Sequence, residues 1–431
     1  MSAVAAVPAR SQASLGVAEG SHRFAVQATA VSIAFMPFLR PGAGGLVTPA
    51  DLAIAGAVLA TALWLGTYGL LVRLPFVVPV ALMVGAGALA GALGDFPAAA
   101  GVALFQDLVL FVWCAMIANV CRTPTALASV LRAWGLSATV CGALLIVAVL
   151  SGSMSFAGQE VEGGRAALTF VTPNQAGSYF AVSLLVLLAS GFPRRRTSRI
   201  VAASIVFVAI LLTGSNAALG GLMAALAVSW VLRVARRGGA TAAIAAGVLV
   251  LAVAGTLALL VVRLDLIDSA RQSDNTFARI TIGRSERSAN DRVARVSQLR
   301  DLYLEGGPLG LGPAATKYAL AEGSSATAKS AHNDYAATLV ERGLVGAIGL
   351  ASLIGSLALM AARIGVRPLR PAFAAVLRST GPLVGALVAV ALSGLSHEVL
   401  HFRQIWALFG VIAALALWGR PDERATTGAA P

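Results

Sequence analysis

Long apolar blocks separated by short polar connections dominate the chain. Their positions predict helices at 24–40, 50–71, 75–93, 98–120, 129–151, 172–191, 198–213, 215–232, 240–262, 334–361, 379–396 and 402–419. Most of these blocks approach the ~20 residues that an α-helix needs to cross ~30 Å of hydrocarbon. The alternating ~10-residue segments of a membrane β-barrel are not seen. The expected fold class is all-α, a polytopic membrane protein of about twelve transmembrane helices. Residues 1–23 are expected as a cytoplasmic tail, 24–262 as a bundle of nine helices and 263–333 as an extracytoplasmic loop. Residues 334–419 then supply three further helices, and 420–431 a cytoplasmic tail. The first 23 residues are rich in Ala and Ser and lack an apolar run followed by a cleavage site, so the first span is expected to be retained as a signal anchor.

The one long polar stretch is 263–333. Six arginines fall in it between Arg279 and Arg300. Residues 288–304 carry a helical pattern: Ser288 stands three before Asp291 as in a capping box. Val293, Val296, Leu299 and Tyr303 then recur at helical spacing. Gly306–Pro313, GGPLGLGP, ends the helix sharply. The loop is therefore expected to fold as a cap over the membrane.

Composition fits the pattern. Hydrophobic residues make up 58% of the chain and charged residues 12%, with a mean hydropathy of +0.83. The formal net charge of +13 does not point to nucleic acid, because no basic stripe with interleaved aromatics is present. Only two of the 32 basic residues, Lys317 and Lys329, are lysines. With the N-terminus placed inside, the inner connections and tails hold eighteen arginines, and the short outer ones only Arg40, Arg165 and Arg403. This bias sets the orientation, and a long loop crosses regardless of its own charge. Both termini are thus expected in the cytoplasm and 263–333 outside the plasma membrane. The three cysteines, Cys114, Cys121 and Cys141, lie in or at the ends of spans and form neither a disulfide framework nor a metal cluster.

Candidate chemistry gathers after the loop. His332-Asn333 precedes Gly343-x-x-Gly346 by nine residues. An imidazole, with a pKa near ~6.5, can take a proton from an acceptor hydroxyl. Asn333 can orient it or bind sugar, or simply cap a helix. The two glycines are expected to let the tenth span pack closely on its neighbours. The arginines suit bidentate binding of diphosphate, although a solvated face or contact with anionic lipid explains most of them equally well. Asp107 in the fourth span is either functional or paired with a loop arginine. Gly87 and Gly91 suggest close helix packing. Pro173, with Asn174 on the outer face, opens the sixth span, and Ser215 or Asn216 caps the eighth. His397-Glu398-x-x-His401 matches the zincin pattern, but no third ligand is indicated.

Together these features resemble the O-antigen ligase and Wzy-type O-antigen polymerase family. The resemblance rests on some twelve spans, a long outer loop before the last three, and the H[NSQ]-x9-GxxG signature at His332–Gly346. It also rests on Arg292 ahead of a PLGLGP turn, and on the PNxxA opening at Pro173–Ala176. It implies metal-independent, cofactor-free transfer of a glycan from an undecaprenyl-diphosphate carrier to a glycan or lipid acceptor. In this scheme His332 is the acceptor-activating base and Arg292 contacts the diphosphate, with Arg295, Arg287 and Arg284 as further candidates. Asn333, Asn174, Asn216 and Glu341 are candidates for binding or orienting substrate, and Gly343, Gly346, Gly310 and Gly312 for shaping the site. One departure is that the family commonly has an arginine in an SRG-like turn opening the eighth span, where this chain has Ser215-Asn216-Ala217. The expected partners are the lipid-linked donor, the acceptor and membrane lipids, with no nucleic acid. The rival readings are a polysaccharide or small-molecule transporter and an intramembrane zinc protease.

Overall fold

The computed structural model describes residues 12–39, 47–152, 165–275, 285–322 and 331–420, and all fold statements concern these. The helices are α1 (Gln12–Phe35), α2 (Pro49–Thr67), α3 (Val77–Leu93), α4 (Pro97–Val120), α5 (Pro124–Leu150), α6 (Pro173–Ala189), α7 (Arg196–Thr213) and α8 (Asn216–Arg263). They continue with α9 (Leu266–Arg271), α10 (Ser285–Gly306), α11 (Ala315–Glu322), α12 (Asp334–Val366), α13 (Pro371–Ala374), α14 (Gly381–Gly394) and α15 (Arg403–Trp418). Among the described residues there is no strand, only one isolated bridge between Ser190 and Leu377. The all-α polytopic expectation therefore holds. Six helices are long and apolar enough to cross a membrane: α2, α4, α5, α7, α8 and α12. The helices α3, α14 and α15 are shorter apolar ones.

Every predicted span has a helix, with shifted ends. The first helix starts at Gln12, inside the expected tail, and stops at Phe35 just before Pro37. The eighth and ninth spans form one continuous helical stretch broken only at Gly239, whose φ of 74° no ordinary helical residue adopts. Three helices begin alike: Thr48, Thr123 and Thr172 are N-caps, each followed by a proline in the first turn. The threonine oxygen accepts an N–H that the helix leaves unpaired, and proline has no N–H to lose there.

Small residues and hydroxyls knit the bundle. A Cβ on Gly385 of α14 would lie 2.3 Å from the carbonyl oxygen of Ala225 on α8, and one on Gly410 of α15 would lie 2.8 Å from that of Cys114 on α4. Such positions let backbones approach in a setting where lipid supplies no hydrophobic drive between helices. Trp113 and Trp134 donate their indole N–H to Ser32 and Ser183, at 3.0 and 2.9 Å. By contrast, 240–263 is exposed along nearly its whole length, as a lipid-facing helix would be.

Contacts between connections sort them into two ends. At one end Arg403 pairs with Asp51, Thr169 donates to the Pro37 carbonyl, Arg165 reaches Thr213 and His332 faces His397. At the other, His22 stacks on Trp64, Arg73 and Arg122 lie over Trp418 and Arg236 donates to Gly365 and Thr380. These pairings follow the alternation expected of twelve crossings. The 24 residues after Gly239 make ~36 Å of helix, enough to carry the chain from the Arg236 end back to the loop.

Gly385→Val should overpack the α8–α14 contact. A loss of about 1–3 kcal/mol is expected, visible as a lower melting temperature in detergent, whereas Gly355→Ala, with open space around it, should melt as the parent does.

Candidate active site

The site is built on a break in α12. At Gly343 φ is 61° and ψ is −164°, dividing a short first segment, Asp334–Arg342, from the long apolar remainder. The GGPLGLGP turn docks onto that break through main-chain hydrogen bonds. Leu311 N–H donates to the Val340 carbonyl at 2.8 Å, Gly312 N–H to Glu341 at 2.9 Å and Leu344 N–H to Pro308 at 2.9 Å. Side chains are excluded here: a Cβ on Gly343 would lie 2.1 Å from the Pro308 oxygen, and one on Gly310 2.5 Å from Gly343 N. Gly310 and Gly312 have φ of 85° and 101°, where glycine alone is at ease. A Cβ on Gly312 would also meet the Gly91 Cα at 3.1 Å. Gly343, Gly310 and Gly312 thus act together in one backbone junction, and Gly91 serves that junction as well as helix packing.

The GxxG pair does more than let the tenth span pack closely. Gly343 breaks the helix and takes the Pro308 backbone into close contact. Gly346 leaves room for the side chain of Arg342, whose Cβ a substituent there would approach to 2.3 Å. Arg342 turns back to pair with Asp107 and donates to the Met83 carbonyl at 3.4 Å. Asp107 is therefore ion-paired, by an arginine of α12 and not of the 263–333 loop.

His332 stands just before α12 with φ of 54°, a region costly for a residue with a side chain. Asn333 caps the helix: its Oδ1 accepts the N–H groups of Tyr335 and Ala336 at 3.0 Å each, and its Nδ2 donates to the Leu395 carbonyl at 3.3 Å. Buried Asp334 accepts the Val399 and Leu400 N–H groups at 2.8 and 3.4 Å. These bonds pull the 395–402 connection over the start of α12. There the His397 ring lies 6.0 Å from that of His332, edge to face, and the Glu398 carboxylate faces the backbone N–H groups of Ala331 and His332. Burial pushes the Glu398 carboxyl above the usual range, partly offset by the Lys317 charge and those N–H groups. Burial also holds His401 down to about 4, helped by the positive charges of Lys317 and Arg403. A polar cavity of about 80 Å³ lies beneath, lined among others by Asp107, Asp334, Glu341, Arg342, Glu398 and His401. Glu341 accepts a hydrogen bond from the Thr316 hydroxyl of α11.

The zincin reading loses its geometry. That motif needs two histidines one turn apart on a helix, but His397–His401 lies between α14 and α15 in irregular chain. Among the described residues no group of three or more His, Cys, Asp or Glu is placed to hold a metal.

The arginine helix α10 packs on this assembly. Leu299 clusters with Ala331, Ala337 and Val340, backed by Tyr303 and Leu311. Arg295 is part-buried one turn before Leu299. Arg287 and Arg292 lie on α10 with side chains outside the described residues, and Arg284 lies outside them altogether. A second polar cluster at the same end was not foreseen. Buried Arg165 donates to Asn174 Oδ1 at 2.6 Å and to the Thr213 carbonyl at 2.8 Å. Its side chain packs against Gly214 at 3.3 Å from an added Cβ. Ser215 caps α8 by accepting the Ala218 N–H at 3.4 Å, and Asn216 is the exposed first residue of that helix. The signal for Arg165 was its rarity, as one of three arginines in the short outer connections. In the sequence Glu398 belongs to the HExxH pattern, a zinc motif or a polar turn between the last two spans, and its approach to the His332 backbone shows only in the structure.

Residues 201–351 match the family Wzy_C, described as O-antigen ligase. Among curated proteins none matches the chain. The matched stretch contains α10, the GGPLGLGP turn and His332–Gly346, and stops short of the 395–402 connection.

The break at Gly343 yields a direct prediction. Gly343→Ala should cost at least about 1–3 kcal/mol from the left-handed φ alone, with the contact to Pro308 adding to it. Limited proteolysis should then cut the 306–313 turn faster than in the parent.

Proposed function

With an O-antigen ligase domain at residues 201–351 of a polytopic helical membrane protein as premise, we propose that the chain transfers a glycan from a polyprenyl-diphosphate carrier to an acceptor at the His332 end of the bundle. That end faces away from the cytoplasm. The observation that carries the reading is the junction itself: a strained histidine, the Glu398 carboxylate facing its main chain and an arginine-bearing helix gather at the start of α12, with a polar cavity lined by Asp334, Glu398 and His401 next to them.

Each group has a chemical task. His332 accepts the proton of the attacking acceptor hydroxyl. The new glycosidic bond forms as the bond to the diphosphate oxygen breaks, and the carrier diphosphate departs with the electron pair. Arginines of α10, Arg292 and Arg295 foremost, stabilise the charge growing on it. Glu398 is a positioning residue: its carboxylate faces the Ala331 and His332 N–H groups, on the backbone that aims the imidazole. Arg165 brings a guanidinium to the 213–216 turn from another segment, and so answers the missing arginine of that turn. An apolar groove of about 340 Å³ between α12 and α14 runs from Asp334 and Tyr335 to Ala361 and Ala362. It begins beside the polar site and suits a prenyl chain, which supports a lipid-borne donor. The irregular 395–402 connection, which does not set His397 and His401 one turn apart on a helix, favours a metal-free site over a zinc protease.

The test is an assay of purified protein with lipid-linked oligosaccharide and acceptor. His332→Ala should lower turnover by at least about 10²-fold, the usual scale for a general base; full activity would remove that role. Glu398→Gln should impair turnover while leaving the fold as stable or more so. The sign follows from its raised carboxyl: the folded state disfavours the charged form, so the parent loses stability as pH climbs above the ordinary carboxylate value, and the glutamine does not. Melting curves from pH 4 to 8, set beside the rates, check both halves.

A further inference from the structure

A second cavity, of about 340 Å³, opens at the end of the bundle opposite His332. It lies where α12 leaves the bundle and α14 begins. Arg236, Arg367 and Arg378 line it together with Ser379 and Thr380, and no carboxylate is among its described lining residues. Arg236 is held in place: its Nε donates to the Gly365 carbonyl at 2.7 Å and a terminal nitrogen donates to the Thr380 hydroxyl. Thr380 in turn donates to the Ile364 carbonyl at 2.9 Å. The α14 helix, of 14 residues, begins directly after Thr380, so the positive end of its dipole lies beside the cavity. One wall is apolar, formed in part by Leu377 and Leu369.

We propose that this cavity binds the phosphate of an anionic amphiphile, with a phospholipid of the adjoining leaflet as the ligand class. Three guanidinium groups and the Ser379 hydroxyl supply directional donors for a phosphate monoanion. The apolar wall leaves the glycerol and chains of such a lipid in contact with Leu377 and Leu369. Basic pockets at the cytoplasmic end of membrane helices suit anionic headgroups in this way, and the arginine bias assigns this end to the cytoplasm. The site is independent of the glycan chemistry at the opposite end. By anchoring α12 and α14, which flank the apolar groove, the bound lipid stiffens the two helices that frame it.

Delipidated full-length protein in neutral detergent would be titrated with phosphatidylglycerol, phosphatidylcholine and inorganic phosphate, with binding read by native mass spectrometry and melting temperature. Saturable binding of one phosphatidylglycerol, tighter than phosphatidylcholine, is expected. Arg378→Gln should weaken it about tenfold, the scale of one charge-assisted hydrogen bond, and Arg378→Lys should fall between. Arg233→Gln, on the same end but outside the cavity, should bind as the parent does. Phosphate that competes only at far higher concentration identifies the lipid as the source of the group, whereas phosphate as tight as the lipid identifies a free anion and overturns the lipid assignment. Equal binding of the two lipids, or equal loss in Arg233→Gln and Arg378→Gln, overturns the site.

Discussion

The rest of the structure depends on a main chain that leaves the helical path at Gly343. A helix crossing a membrane must satisfy its own polar groups, and broken backbone survives there only when protein covers it. The GGPLGLGP turn provides that cover, exchanging hydrogen bonds with Val340, Glu341 and Leu344. The polar loop and the apolar tenth helix therefore form one unit. The short segment before the break is freed to carry His332 and Asn333 at its start, and Arg342 at its end is turned back onto Asp107.

The two ends of the bundle use charge differently. At the His332 end, the described arginines of the short connections are built into the architecture: Arg403 holds Asp51, and Arg165 holds Asn174 and the Thr213 carbonyl. At the opposite end, Arg73 and Arg122 lie over Trp418 and line the bundle's face, while Arg236, Arg367 and Arg378 surround a cavity. Few arginines with fixed partners on one side and many on the other is what orientation by charge leads to.

The helices were legible in the sequence because lipid demands long apolar runs, and Thr-Pro starts mark several of their ends. The glycines of the PLGLGP turn and of Gly343-x-x-Gly346 were legible as a motif, but their meeting was not. A pattern along one chain does not reveal that two left-handed backbones dock on each other 33 residues apart. Likewise Glu398 and His397 reach His332 through a connection more than 60 residues downstream, and only tertiary structure brings them there. Asn333 shows the reverse. The pattern offers it as both a cap and a substrate contact; its oxygen is engaged by the start of its own helix and its nitrogen by the distant Leu395 carbonyl. Gly239 falls in the gap between the eighth and ninth spans, where its φ of 74° breaks the helical path.

The central claim is that His332, the Glu398 connection and helix α10 together receive a diphosphate-linked sugar. The most direct measurement is a structure of the protein in a lipid nanodisc with a non-hydrolysable polyprenyl-diphosphate sugar bound. The account predicts the diphosphate against α10 and the anomeric carbon within reach of the His332 imidazole. A diphosphate seated at the Arg236 end, or a sugar held away from His332, would contradict it.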